Sequence, residues 1–291
     1  MKTGVIGLGA MGGYMALNFH YTEYLYRVWN RTTQKATDIS AKTGVTVSSS
    51  PAELAHDCEL IVTCVSRDAD LLEVVSAIAT GIQPDSVVAD TSTVSSTTAR
   101  EAAAILAEKQ AHFLDCPVSG GVEGAKNGTL AIMVGGDENV LNRVQPVLSA
   151  ISAHIAYIGP SGSGQACKAV NQLMAAGINQ AVCEALAFGQ LMGLDMNKVV
   201  DIVTTGAAGN WFLEHRGHNM LAGKFLPGFK LGLHHKDLSI VKSMLENKTD
   251  IDLPLLNKTL EDYGELMASG HADEDISALY RLIKEKYRVQ Q

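Results

Sequence analysis

The stretch TGVIGLGAMGG at residues 3–13 restricts what the chain can fold into more than any other. An apolar run from Thr3 to Ile6 breaks into Gly7, Gly9 and Gly12 and continues as a helical MALNF pattern, which reads as strand, tight turn, helix. Each glycine has its own physical task. Gly7 permits the turn, Gly9 lets backbone approach a pyrophosphate, and Gly12 lets the helix pack close to the strand. Leu8, Ala10 and Met11 complete the turn, whose N–H groups at the helix start would hold dinucleotide phosphates. Glycine-rich turns that bind nothing are common, so the stretches that follow decide the reading.

LYRVW (Leu25 to Trp29) predicts a second strand, ending in Asn30-Arg31-Thr32, and TTQKATDISAKTG a helix closed by Gly44. This completes a βαβ unit of dinucleotide-binding length. An acidic residue after the second strand would hydrogen-bond a ribose 2′-hydroxyl; Arg31, with Asn30, Thr32 and Lys35 around it, suits a 2′-phosphate instead. The expected cofactor is therefore NADP, with NAD possible. The competing reading makes Arg31 and Lys35 a solvated helix start.

Further apolar runs, LIVTCV (Leu60 to Val65) and SVVAD (Ser86 to Asp90), alternate with helical stretches near 51–56, 68–80 and 95–109, the pattern of a doubly wound parallel sheet. HFLD, LAIMVGG and HIAYIG would extend the sheet at its far edge, with a helix from about Glu138 to Ala150. Ligands in such folds sit beyond the carboxyl ends of the strands, so the loops Val65-Ser66-Arg67 and Asp90-Thr91-Ser92-Thr93 are candidate cofactor contacts. Ser66 and Ser95 could equally be helix caps.

The punctuation of residues 159–164 marks a domain boundary, and no convincing strand follows it. The expected fold is α/β: an N-terminal Rossmann doubly wound sheet over residues 1–161, joined by a long helix to an all-α domain over 162–291. That helix, about Gln165 to Met192, is rich in alanine and apolar on most sides. Its polar exceptions Lys168, Asn171, Gln172 and Asn179 fall on roughly one face. A lysine among alanines is costly to bury unless partnered or functional, although near a helix start it could reach solvent.

With 291 residues the chain has room for two domains, and its net charge of −8 argues against a nucleic-acid surface. The five cysteines include no CxxC pair, which favours buried thiols in a reducing, cytoplasmic setting over a disulfide framework. His215, His218, His234 and His235 lack acidic or cysteine companions at metal-site spacing, so no metal is expected. No apolar run approaches the roughly 18 residues of a membrane span, and Met1-Lys2 leads directly into a strand.

Five segments together resemble the β-hydroxyacid dehydrogenase family, which includes 3-hydroxyisobutyrate dehydrogenase and the tartronate and glyoxylate/succinic semialdehyde reductases. They are GVIGLGAMGGYMALN at 4–18, DTSTV at 90–94, DCPVSGGVEGAKNGTLAIMVGG at 115–136, GSGQACKAVNQ at 162–172 and GFKLGLHHKDL at 228–238. The resemblance covers nearly the whole chain and implies a helical domain like that of 6-phosphogluconate dehydrogenase. It gives Lys168 the part of the catalytic lysine, Ser119, Gly120 and Gly121 that of the substrate-carboxylate loop, and Thr93 and Lys236 contacts near the nicotinamide end. Many relatives carry asparagine four residues after the lysine, where this chain has Gln172 with Asn171 before it, so either amide could meet the substrate hydroxyl. Cys116, where alanine is common, is a packing substitution. The family also implies a homodimer or homotetramer.

The implied chemistry is hydride transfer between NADP(H) and a small carboxylate-bearing hydroxyacid or semialdehyde. Lys168 would move the hydroxyl proton, its pKa lowered by desolvation, while Trp211 and Phe229 would wall the pocket. Two other readings are a non-catalytic cofactor-binding scaffold, which would be expected to lose Lys168 or the carboxylate loop, and a reductase of imines or larger sugar acids, whose imine-reducing members typically replace the lysine.

Overall fold

Residues Thr3–Ile6 form β1, buried at all four positions in the middle of a parallel sheet in the computed structural model, which describes residues 1–246 and 251–287. The elements that follow are α1 (Gly12–Tyr21), β2 (Leu25–Trp29), α2 (Thr33–Thr43), β3 (Thr46–Val47), α3 (Pro51–Asp57), β4 (Leu60–Thr63), α4 (Asp68–Ile78), β5 (Val87–Asp90), α5 (Ser96–Ala107) and β6 (His112–Asp115). Their strands run in parallel in the order β3-β2-β1-β4-β5-β6. The order reverses beside β1, which opens a crevice at the carboxyl ends of β1 and β4.

The apolar runs do not alternate with polar residues because both faces of this sheet are covered. Successive residues point to opposite faces: Val5, Leu60 and Val62 enter one core with Met15, Phe19 and Leu141, while Ile6, Ile61 and Val88 enter another with Leu54, Leu71 and Ala102.

The far edge departs from the parallel pattern. β7 (Val118–Ser119), α6 (Gly121–Asn127), β8 (Leu130–Gly135), α7 (Glu138–Leu148) and β9 (Ser152–Gly159) follow β6. β8 is antiparallel to β6 and β7 and parallel to β9. The two-residue strands β3 and β7 are too short for a periodicity to announce them, and only their neighbours' backbone groups make them strands.

The chain divides into two units, Met1–Lys168 and Ala169–Gln291. The long helix α8 (Ser163–Leu191) is continuous through that division. The second unit continues with α9 (Met196–Val203), α10 (Trp211–Leu221), α11 (Leu231–Glu246), α12 (Pro254–Ala268), a 3₁₀ turn at Ile276–Ala278 and α13 (Leu279–Lys286). Its core gathers Leu186, Phe212, Leu238, Tyr263 and Leu279. Buried amides of α8 find partners there, as burial requires. Asn179 Nδ2 donates to Tyr263 Oη and to the Ile276 carbonyl, and Gln180 Nε2 donates to Asp262, which also pairs with Lys258 and Lys286. Asn179, on the polar face of the helix, is thereby part of the helical core.

Candidate active site

The three glycines meet three different steric demands. Gly7 has φ +92°, and a Cβ there would lie 2.2 Å from the Cys64 carbonyl oxygen. A Cβ on Gly12 would lie 1.9 Å from the Gly7 oxygen, whereas one on Gly9 would meet nothing within 4 Å. Gly7 and Gly12 are thus required by the protein's own packing, and Gly9 faces open space. α1 starts without a side-chain cap at Met11, so its first turn suits an anion. This loop fits the pyrophosphate of a dinucleotide.

Asn30 serves the loop itself: its Oδ1 accepts from Leu8 N at 2.8 Å and its Nδ2 donates to the Thr32 carbonyl at 3.0 Å. Leu8 is buried in the sheet core, Ala10 is exposed and Met11 half-buried. A pocket at the strand ends brings together Gly7, Gly9, Asn30, Arg31, Thr32, Lys35, Val65 and Ser66. It also contains Asp70 and Glu73, two carboxylates on α4 that sequence reasoning missed. Arg31 Nη1 lies 3.0 Å from Asp70 Oδ1, with the arginine side chain 74% exposed. Such an exposed pair holds weakly and can be exchanged for another anion.

Beyond this pocket a hydrogen-bonded line runs along the strand ends. Val65 N donates to Ser92 Oγ at 2.8 Å, and Ser92 Oγ donates to Asp90 Oδ1 at 2.6 Å. Asp90 Oδ1 accepts from Thr63 Oγ1 as well, whereas its Oδ2 is buried with no hydrogen-bond partner among the described residues. Burial pushes the Asp90 carboxyl from its usual 3.8 up to about 6; the bonds from Ser92 and Thr63 oppose this only in part, and Asp115 adds to the rise. The folded state therefore holds this proton more tightly than the unfolded chain. Its contribution to stability is greatest below about pH 4 and is lost as pH rises towards 6, on the order of 3 kcal/mol in all. Asp90→Asn is expected to flatten the decline in urea midpoint between pH 4 and 6.5 relative to wild type. An unchanged slope would contradict the assignment.

Lys168 lies in the second turn of α8 and is only 7% exposed; it does not reach out to solvent. Its Nζ donates to the Val118 carbonyl at 2.9 Å. Val118 immediately precedes Ser119, Gly120 and Gly121, so the lysine is tied to the segment expected to hold a carboxylate. Gly120 and Gly121 have φ of +129° and +61°, which side-chain-bearing residues rarely adopt. The start of α8 is held by Asp115, whose Oδ1 accepts from Gly162 N and Oδ2 from Gln165 N at 2.8 and 2.9 Å. Burial pushes the Asp115 carboxyl up although these N–H groups favour its charge. Its neighbour Cys116 is fully buried with its thiol raised far above the usual range, as a packing residue and not a nucleophile.

In the second unit Asn171 Nδ2 donates to Gln172 Oε1, and Gln172 Nε2 donates to Asp237 Oδ2 at 2.6 Å. Asp237 also pairs with Lys236 at 2.9 Å. Gln172 is 2% exposed with both ends of its amide engaged. Phe229 packs on the helical core, and its backbone N–H donates to the buried Asp275, which Arg216 also binds. Trp211 is exposed and stacks on His215 at 4.3 Å. His234, fully buried, meets Tyr263 Oη and the Gln172 carbonyl. Among the described residues no group of three or more His, Cys, Asp or Glu could hold a metal ion, and no helix is long and apolar enough to cross a membrane.

Comparison with known proteins places these features in a family. Residues 2–159 match the NAD binding domain of 6-phosphogluconate dehydrogenase, and residues 162–283 match the family described as NAD-binding of NADP-dependent 3-hydroxyisobutyrate dehydrogenase. The chain is 34% identical over 288 residues to the 2-hydroxy-3-oxopropionate reductase of Escherichia coli, covering 98% of this chain and 97% of that protein. The chain belongs to the β-hydroxyacid dehydrogenase family. An uncharacterized oxidoreductase of Shewanella frigidimarina is 36% identical over 289 residues, covering 98% of this chain and 99% of that one. A structure of Mycobacterium tuberculosis 3-hydroxyisobutyrate dehydrogenase with L-serine superposes with a TM-score of 0.88 at 30% identity, over 97% of this chain and 99% of that one. As a β-hydroxyacid dehydrogenase family member the protein is an oxidoreductase that uses a nicotinamide cofactor, and its glycine loop has the form that cofactor needs.

Proposed function

We propose that the protein interconverts a small semialdehyde acid and its β-hydroxyacid with NADP(H), using Lys168 as general acid and base. The carrying observation is the buried Lys168 amine, tied to the Val118 carbonyl beside Ser119, Gly120 and Gly121. The relatives named for 3-hydroxyisobutyrate and 2-hydroxy-3-oxopropionate support a substrate of this class.

When bound, the cofactor supplies or accepts the hydride at the substrate carbon. The protein does the rest. Backbone N–H groups of the Ser119-Gly120-Gly121 turn, with the Ser119 hydroxyl, would hold the carboxylate. In reduction Lys168 gives its proton to the carbonyl oxygen as negative charge develops there, and in oxidation it takes that proton back. Either Asn171 or Gln172 would orient the substrate oxygen; the two amides are hydrogen-bonded to each other, and Gln172 also to Asp237. Thr93 and Lys236 are assigned to the nicotinamide end, and Phe229 and Trp211 to the substrate side chain. An exposed apolar stripe on α8, Val170, Met174 and Ile178, supports a homodimer or homotetramer.

Arg31 and Lys35 favour a 2′-phosphate, for which Asp70 must yield its pairing with Arg31. Removing one charge-assisted phosphate contact costs about 1.5–3 kcal/mol, so Arg31→Ala is expected to lower the NADP/NAD ratio of kcat/KM by about 10- to 100-fold. A ratio unchanged by the substitution removes Arg31 from the phosphate site. The reaction class is tested by a panel of small semialdehyde acids, and of larger sugar acids and cyclic imines, assayed at 340 nm with NADPH and NADH. Turnover of the imines alone, or of nothing, would overturn the proposal.

A further inference from the structure

We propose that Gln165 is a positioning residue that sets Lys168 against the cofactor loop; this rests on the reading of Lys168 as the proton-transfer group. Gln165 is 1% exposed and sits three residues before Lys168 on α8. Its Nε2 donates to the Ser92 carbonyl at 2.9 Å, and its Oε1 accepts from Val94 N at 3.2 Å. These are the peptide groups on either side of Thr93. One amide therefore clasps the backbone around the residue assigned to the nicotinamide end.

The same residue is fastened on its other side, since Gln165 N donates to Asp115 Oδ2. Ser92, which it clasps, continues the line to Val65 and Asp90. Gln165 thus joins three things: the loop after β5, the capped start of α8, and, one turn along, the lysine whose amine meets the Val118 carbonyl. Both amide groups face protein backbone, so Gln165 acts through other residues and touches no reacting atom. A shift of about 1 Å between hydride path and proton donor costs on the order of 100-fold in rate, so a rigid link between them matters.

The distinguishing property is that the clasp needs one donor and one acceptor together. A protonated glutamic acid at this position supplies both with nearly the same shape, while its carboxylate has no proton for the Ser92 carbonyl. The ionisable groups joined to the same network, Asp90 and Asp115, are both acidic and oppose its ionisation; Lys168, one turn on, is the nearest cation along the helix.

The test compares wild type, Gln165→Met and Gln165→Glu from pH 5 to 8.5, reading kcat, cofactor KM, thermal midpoint and the fluorescence of bound NADPH. Gln165→Met, which lacks both hydrogen-bonding groups, is expected to lose about 10- to 100-fold in kcat with cofactor KM changed less than about threefold. Gln165→Glu is expected to approach wild-type kcat near pH 5 and to fall at least about tenfold, relative to wild type, as the carboxyl ionises. Bound-NADPH fluorescence should show a titration over the same range in Gln165→Glu, in addition to any change that Asp90, joined to the clasp through Ser92, gives in wild type. A merely structural role would give equal losses at every pH, and that result overturns the proposal, as does a kcat within twofold of wild type for both variants at pH 8. If Gln165→Met does not fold, the pH profile of Gln165→Glu decides. If wild type reduces none of the substrate panel, the functional reading has failed by itself, and the fluorescence titration still decides whether Gln165 holds the loop.

Discussion

Lys168→Ala is expected to lower turnover by about 100- to 10,000-fold, the usual contribution of a general acid–base group, while leaving NADPH affinity within about threefold. The separation follows from where the amine lies. It donates to the Val118 carbonyl, and neither residue lines the pocket formed by Gly7, Gly9, Arg31 and Val65. Loss of the amine leaves the buried Val118 carbonyl without that donor, at a cost of about 1–3 kcal/mol, so a thermal melt should accompany the kinetics. Stopped-flow reduction separates the chemical step from cofactor release. Retention of more than a tenth of wild-type turnover would remove Lys168 from the proton-transfer role.

The second large effect divides the glycine motif. Gly12→Ala places a methyl 1.9 Å from the Gly7 carbonyl oxygen, a backbone atom that cannot swing away, so α1 must move off β1. We expect a loss of about 2 kcal/mol or more in stability, with cofactor affinity reduced by at least about tenfold. Gly9→Ala should behave otherwise: the added methyl meets nothing within 4 Å in the protein and so leaves the melting temperature unchanged. It occupies the space a pyrophosphate would use, and NADPH binding should weaken by a similar factor. Isothermal titration and melting curves on the two variants read this contrast directly. Equal destabilisation of both would mean that Gly9 is a packing glycine and not a ligand-facing one.

How much of the site was legible beforehand depends on the range of the interaction that defines each part. The glycine turn, the alternating strands and helices, and the placement of Lys168 on a long apolar helix rest on neighbours within a few residues, and these carry their own signals in spacing and composition. Asn30 was legible as a residue at the end of β2, but not as the brace that receives Leu8 N, 22 positions earlier. Asp70 and Glu73, two acids among several on α4, carried no signal of their own until the sheet order brought that helix beside Arg31. Gln172, one of two equivalent amides in the sequence, is distinguished by Asp237, 65 residues further on. Asp115 belonged to a motif expected to serve substrate, and its observed work is to cap the start of α8, about 50 residues away.

By itself the sequence determined the class of the protein: a nucleotide-binding sheet built from βαβ units, a helical second half, and a lysine placed where a bare charge is costly. Those properties follow from side-chain periodicity and from the steric freedom of glycine, which act over one or two turns of chain. Only the tertiary structure decided which buried polar groups pair with which. It assigned Gln165 to the backbone around Thr93, left one oxygen of Asp90 without a hydrogen-bond partner among the described residues, and set the Lys168 amine on the Val118 carbonyl. A hydrogen bond depends on positions good to a few tenths of an ångström, and for groups 50 to 73 residues apart that precision comes from the packed sheet and not from any local pattern.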